Sequence, residues 1–253
     1  MKNNNYLFII LSLIVLYSCK DNVIVDPPAV DKEYFPAKTG AKFTYSLTID
    51  SNLVLSGAKI SDIIGLQSIS GTEYFIQIDS IIIERALTLD TAYFRKSNTG
   101  VFYYTDTTGL GQLIPDTLRN ALRIDNESRL LFFPLRLNQT WPVYQIDITV
   151  GGIPVFSPVK TNAKISGKEQ LTMAIRDSQY TIDVFKIEYK VEVQLDPQGA
   201  SESFYAYGYI AENIGFVKWE GESFVINLIR GGRLDLSLTS TYMLEELRNY
   251  FIP

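Results

Sequence analysis

From residue 41 onward the apolar side chains recur at every second position far more often than at helical spacing, and that period decides the fold class. Ile187, Tyr189, Val191, Val193 and Leu195 alternate with Glu188, Lys190, Glu192 and Gln194, which gives one buried and one wet face, as in antiparallel sheets. Thr, Val, Ile, Tyr and Phe, the residues that suit a pleated surface, dominate the runs. Strands are expected at Lys42 to Asp50, Glu73 to Glu84, Ala92 to Lys96, Val101 to Thr105, Trp141 to Val150, Tyr180 to Leu195, Ser203 to Tyr209, Phe216 to Glu220, Ser223 to Arg230 and Arg233 to Thr239. Ile182 and Val184 are out of phase with Ile187, so a β-bulge or a change of sheet is expected near Phe185-Lys186. Gly151-Gly152 and Gly231-Gly232 have the two-residue spacing of tight hairpins. Only Pro115 to Ile124 and Tyr242 to Tyr250 suggest helices.

The chain also resembles itself. Phe35-Pro36, Gly40 and Phe43 recur as Phe133-Pro134, Asn138 and Trp141 at a constant offset of 98 residues. Later, Tyr93 with Gly100-Val101-Phe102 matches Tyr207 with Gly215-Phe216-Val217 at an offset of about 115, the first pair trailing by one. Two related halves, about 33–127 and 128–253, are therefore expected, with an insertion in the second. The expected fold is all-β, with antiparallel sheets from two similar halves arranged as a half-barrel or a sandwich, and few short helices.

Ahead of this domain, Lys2 precedes the apolar run Tyr6 to Leu16, which meets the description of a secretory signal. Its eleven residues rise only about 16 Å as a helix, against a hydrocarbon core of about 30 Å, so a permanent membrane helix is a poor reading. The run ends at Leu16-Tyr17-Ser18-Cys19, which resembles the lipobox of bacterial lipoproteins. That resemblance implies cleavage after residue 18, acylation of Cys19, and a membrane partner reached through lipid rather than protein. Residues 19–32, with Pro27-Pro28, then form a stiff tether. With the only cysteine acylated, no disulfide is left, and the domain must rest on core burial.

Several short motifs together resemble a group of uncharacterised β-rich lipoproteins of the Bacteroidota. Tyr34-Phe35-Pro36 with Gly40 and Phe43-Thr44-Tyr45 is similar to their "YFPLKxGxxWxY" opening, with Phe43 where the pattern has Trp. Tyr93-Phe94-Arg95-Lys96 and Phe133-Pro134 to Trp141 follow, and Tyr205-Ala206-Tyr207 with Gly215-Phe216-Val217-Lys218 is similar to their "YAxGxGxVK" close. The resemblance implies an outer-membrane lipoprotein, exposed at the cell surface or facing the periplasm, and adds nothing about mechanism. Asp106-Thr107-Thr108 and Asp116-Thr117-Leu118 are similar to the acceptor pattern of Bacteroidota O-glycosylation, which makes Thr107 and Thr117 candidate glycosylation sites.

Composition narrows the chemistry. With His 0 and Cys 1, a Ser-His-Asp triad, a Cys-His pair and a His-ligated metal are all excluded. No acidic loop has EF-hand spacing, so no metal or other cofactor is expected. A net charge of -5 offers no footprint for nucleic acid. The carboxylate pairs Glu188 with Glu192 and Glu220 with Glu222 could share strand faces, but Lys190 between the first pair reads as a solvated surface, and no catalytic residue is assigned. Among 16 Tyr and 14 Phe, most of which should pack inward, Tyr103-Tyr104 and Tyr205, Tyr207 and Tyr209 are the candidate ligand-binding clusters. The expected function is non-catalytic, a binding or structural role at the outer membrane with a glycan or an outer-membrane protein as partner. Competing readings are a carrier of an apolar ligand in a barrel-like cavity and a histidine-free glycoside hydrolase.

Overall fold

In a computed structural model, residues 32–50, 54–105, 121–194, 196–231 and 241–253 are described. Among them are thirteen strands in one sheet. These are β1 (Lys42–Asp50), β2 (Val54–Ile69), β3 (Thr72–Ile83), β4 (Ala86–Ser97), β5 (Gly100–Tyr104), β6 (Leu122–Ile124), β7 (Glu127–Phe132), β8 (Thr140–Val150), β9 (Ile153–Ile175), β10 (Ser178–Val193), β11 (Glu202–Ala211), β12 (Gly215–Glu222) and β13 (Tyr242–Phe251). One helix, α1 (Ser223–Ile229), follows β12. The strand order is β6-β8-β9-β10-β11-β12-β13-β1-β2-β3-β4-β5-β7, antiparallel at each pairing. The fold is all-β, an open sheet not closed into a barrel.

Two stretches of this order, β1 to β5 and β8 to β12, are five-stranded meanders whose consecutive strands pair as hairpins. Their entries share a backbone pattern. Gly40 and Asn138 both adopt positive φ, at 88° and 63°. The Gly40 N–H donates to Ile63 O and the Ile63 N–H to Ala41 O; likewise Asn138 donates to Ile165 O and Ile165 to Gln139 O. Each entry also docks on the turn that opens the other meander's fifth strand. Asn213 N–H donates to Glu33 O beside Gly215, and Phe133 N–H donates to Thr99 O beside Gly100.

The sheet curls with its apolar face inward. Tyr189 on β10 donates its hydroxyl to Leu130 O on β7, 2.9 Å away, although the two strands lie far apart in the sheet order. Helix α1 packs against β7, β10, β11 and β12, and Phe224, Val225, Ile226, Leu228 and Ile229 are all buried. Ser223 to Arg230 is therefore not the strand expected from its apolar, β-branched run. Only Asn227 of the helix is exposed, so its apolar residues wrap almost all the way round, as suits a filler of the curl. Tyr242 to Tyr250 corrects the expectation in the other sense, because it lies within β13, paired with β12 and β1. Its inward residues are Met243, Glu245 and Leu247, so a buried charge interrupts the apolar alternation that marks a strand. At the other expected helix, residues 122–124 form β6, while 115–120 lie outside the described residues, as do Arg233 to Thr239.

Gly151-Gly152 does form the β8–β9 hairpin, both at positive φ. Gly231 instead follows α1. The phase change in β10 is real: Val184 and Phe185 are both buried, and the register shifts at Lys186/Ile187, where Ser166 of β9 is the extra residue.

Candidate functional site

The two ends of the meanders are finished differently. β13 follows β12 in the sheet and pairs on its other side with β1, which seals that seam with a continuous ladder. β7 follows β5 in the same way but has no ladder to β8, whose other edge carries, among the described residues, the three-residue ladder of β6 opposite Ile146 to Ile148 and the flanking bonds of Ala121 and Asp125 to Thr149 and Gln145. Side chains fill in for the missing strand partner. Trp141 Nε1 donates to Arg129 O at 3.0 Å, Gln139 Nε2 to Phe132 O at 3.3 Å, and the Tyr189 hydroxyl to Leu130 O. Three carbonyls of an edge strand are satisfied in this way without a ladder.

Between the splayed strands lies a groove of about 780 Å³, bounded by the β2–β3 turn, β4, β5, the 125–126 link, β7 and the first half of β8. Glu127 holds its centre. It accepts Tyr74 Oη at 2.5 Å and both nitrogens of one edge of the Arg95 guanidinium. Burial raises the Glu127 carboxyl, but the Arg95 and Tyr74 hydrogen bonds outweigh it and hold the group below its ordinary value. Tyr74 is pushed up to about 12 by burial and by its bond to Glu127. The Arg95 and Arg129 guanidiniums lie 4.1 and 5.1 Å from the Phe102 ring centre, and Arg129 makes no ion pair among the described residues. Asp125 is raised by burial, with Arg123 opposing and Asp147 adding to the shift. Tyr144 is 1% exposed, burial pushes its phenol up, and its hydroxyl has no hydrogen-bond partner among the described residues. An unmet buried hydroxyl costs about 1–3 kcal/mol.

A second polar cluster lies inside the curl. Lys59 Nζ is bonded to Glu245, Arg230 reaches Glu245 at 3.1 Å and Asp79 at 3.0 Å, and Gln77 joins Asp79 to the Tyr103 hydroxyl. The two cations and two carboxylates balance. The hollow beside them measures about 50 Å³, room for a water or two and not for a carried lipid.

The tyrosines named from the sequence separate. Tyr103 and Tyr104 are neighbours on one strand and so take opposite faces: Tyr103, 3% exposed, belongs to the interior network and is closed to a ligand, while Tyr104 lines the groove. Tyr205, Tyr207 and Tyr209 share the outer face of β11, graded from exposed to buried. Lys186 lies over Tyr207 and Tyr209, Lys218 lies over Tyr209, and the Tyr209 hydroxyl donates to Glu220. Of the carboxylates singled out there, three are occupied, and Glu188 lies opposite Tyr207. Glu192 pairs with Lys190, Glu220 with Lys218, and Glu222 accepts the Tyr205 N–H. Burial raises Glu220, and its bonds to Lys218 and Tyr209 bring it below the ordinary value. Cys19, Thr107 and Thr117 lie outside the described residues. The groove residues Asp125, Asn126, Glu127 and Arg129 were not singled out by sequence reasoning, and the one signal for them is a polar cluster, Arg123 to Arg129, broken only by Ile124, ahead of an apolar strand.

No protein-family model matches the chain, and no curated protein matches it. Two solved structures are similar to it, each aligning with 87% of this chain and 99% of its own. A "putative lipoprotein" from Parabacteroides distasonis has 11% identity and a TM-score of 0.45. A "putative exported protein with YmcC-like fold" from Bacteroides fragilis has 10% identity and a TM-score of 0.45.

Proposed function

We propose that the chain is a lipid-anchored exported protein with a non-catalytic binding role at the outer membrane, and that the groove at the open seam is its binding surface. The observation that carries this reading is the contrast between the seams: one is sealed by β13, whereas the other is held open around arginines, carboxylates and tyrosines. A groove of several hundred Å³ that sets a few fixed hydrogen-bonding groups among aromatic side chains has the size and the anchoring groups of a ligand site. The small interior hollow speaks against the apolar carrier. Against hydrolysis, Glu127 is already engaged by Arg95 and Tyr74 and is not free to act as nucleophile or base, although Asp125 and Glu127 are shifted in opposite senses as an acid/base pair would be. The same reading treats the two meanders as a duplicated unit, supported by the matching entries at Gly40 and Asn138.

The anchor rests on Cys19, so Cys19→Ala should move the protein out of the membrane fraction or leave its leader uncleaved. Binding is tested by thermal unfolding of the full chain against a panel of oligosaccharides, peptides and fatty acids, with product analysis. A polar class at a hundred times its Kd should stabilise the protein by about 2.7 kcal/mol with no turnover. Stabilisation by fatty acids alone, or turnover abolished by Asp125→Asn, would overturn the reading.

A further inference from the structure

If the groove is the binding surface, its chemistry also selects the ligand, and we propose that it takes a neutral saccharide chain, held by Asp125, Asn126 and Arg129 beside the Tyr104 ring. The charges come first. Arg95 and Glu127 satisfy one another, which leaves Arg129 and Asp125 as an opposed pair, so the lining is neutral. A phosphate or carboxylate ligand would bring its charge against Asp125 and Glu127, and an ammonium would bring its own against Arg95 and Arg129. A neutral ligand meets neither penalty.

Hydrogen-bonding capacity comes next. Arg129 can only donate, an ionised Asp125 can only accept, and Asn126 does both. Adjacent hydroxyls on a sugar ring each donate and accept, and so match such a set without leaving a buried group unpaired. The wall supplies aromatic surface from Tyr104 and Phe102 for the apolar C–H face of the ring, and about 780 Å³ admits several linked units. The unpartnered Tyr144 hydroxyl is a further polar demand among the lining residues. An extended peptide is a poorer occupant. It would need the free carbonyls of an edge strand, and three of those on β7 already accept from Trp141, Gln139 and Tyr189.

The test is calorimetric titration of the full chain in detergent with neutral tetrasaccharides of glucose, mannose and galactose, a uronic-acid tetrasaccharide and an extended hexapeptide. At least one neutral tetrasaccharide should bind. Asp125→Asn should weaken it about tenfold to a hundredfold, the loss expected for a hydrogen bond to a charged group. Asn126→Ala, at an exposed position where the fold has little to lose, should weaken it in the same direction, and Tyr205→Ala on the outer face should leave it unchanged. Binding of the uronic-acid chain or the peptide in place of the neutral chains, lost in the same groove variants, would overturn the ligand class and leave the groove standing. Neutral binding that ignores the groove variants and disappears in Tyr205→Ala would overturn both. No binding of any saccharide would overturn the proposal.

Discussion

Lys59 carries its ammonium into the interior at 2% exposure, where Glu245 and Asp79 meet it. Burial and Arg230 push the Lys59 pKa down, with the two carboxylates opposing. For Asp79 burial acts upward, but Lys59 and Arg230 prevail and hold its pKa below the ordinary value. An acid depressed in the folded state contributes stability that is complete above its unfolded value of about 3.9 and is lost as pH falls through the folded value. Asp79→Asn should therefore cost about 3–5 kcal/mol at pH 7, because it leaves two buried cations with one carboxylate. It should also flatten the loss of stability below pH 4. Urea titrations across that range check both effects, and an unchanged acid limb would remove Asp79 from the account. None of this network was legible in the sequence. Lys59, Asp79, Arg230 and Glu245 are far apart in the chain, and each looks like an ordinary surface charge until the topology brings them together.

At the level of elements, period two located β1, β8, β10 and β11 closely, because each has one wet face. It failed where that condition failed. β13 hides its alternation behind the inward Glu245, and α1 shows only Asn227 to solvent. β2 and β9 escaped notice too; their inward runs, Lys59, Ser61 and Ile63 in one and Thr161, Ala163 and Ile165 in the other, include polar or small residues. Close approach between elements offers a sharp test at β5. Gly100 has φ 157°, and a Cβ there would stand 2.1 Å from Leu131 O of β7, so the two backbones would have to part. Gly71, at φ 83° in the β2–β3 turn, has open space around it. Gly71→Ala should cost about 1–2 kcal/mol for its conformation alone, and Gly100→Ala distinctly more. Equal costs in chemical denaturation would mean that β5 and β7 are not held at this distance.

For the molecule as a whole, the sequence aligns Gly40 with Asn138, and the two share positive φ and a pattern of backbone hydrogen bonds. The open seam was not legible, since nothing in Glu127–Phe132 distinguishes a strand that lacks a partner from one that has two. The groove depends on that difference, and native-state hydrogen exchange reads it directly. β1 is paired on both sides along Lys42–Asp50, so its amides should exchange slowly throughout. β8 is paired with β9 along most of its length but with β6 only at Ile146 to Ile148. Between Thr140 and Gln145, the amides of β8 that turn away from β9 should therefore exchange orders of magnitude faster than those of β1. Slow exchange at those positions, matching β1, would mean that β7 and β8 are laddered, the barrel is closed and the groove does not exist.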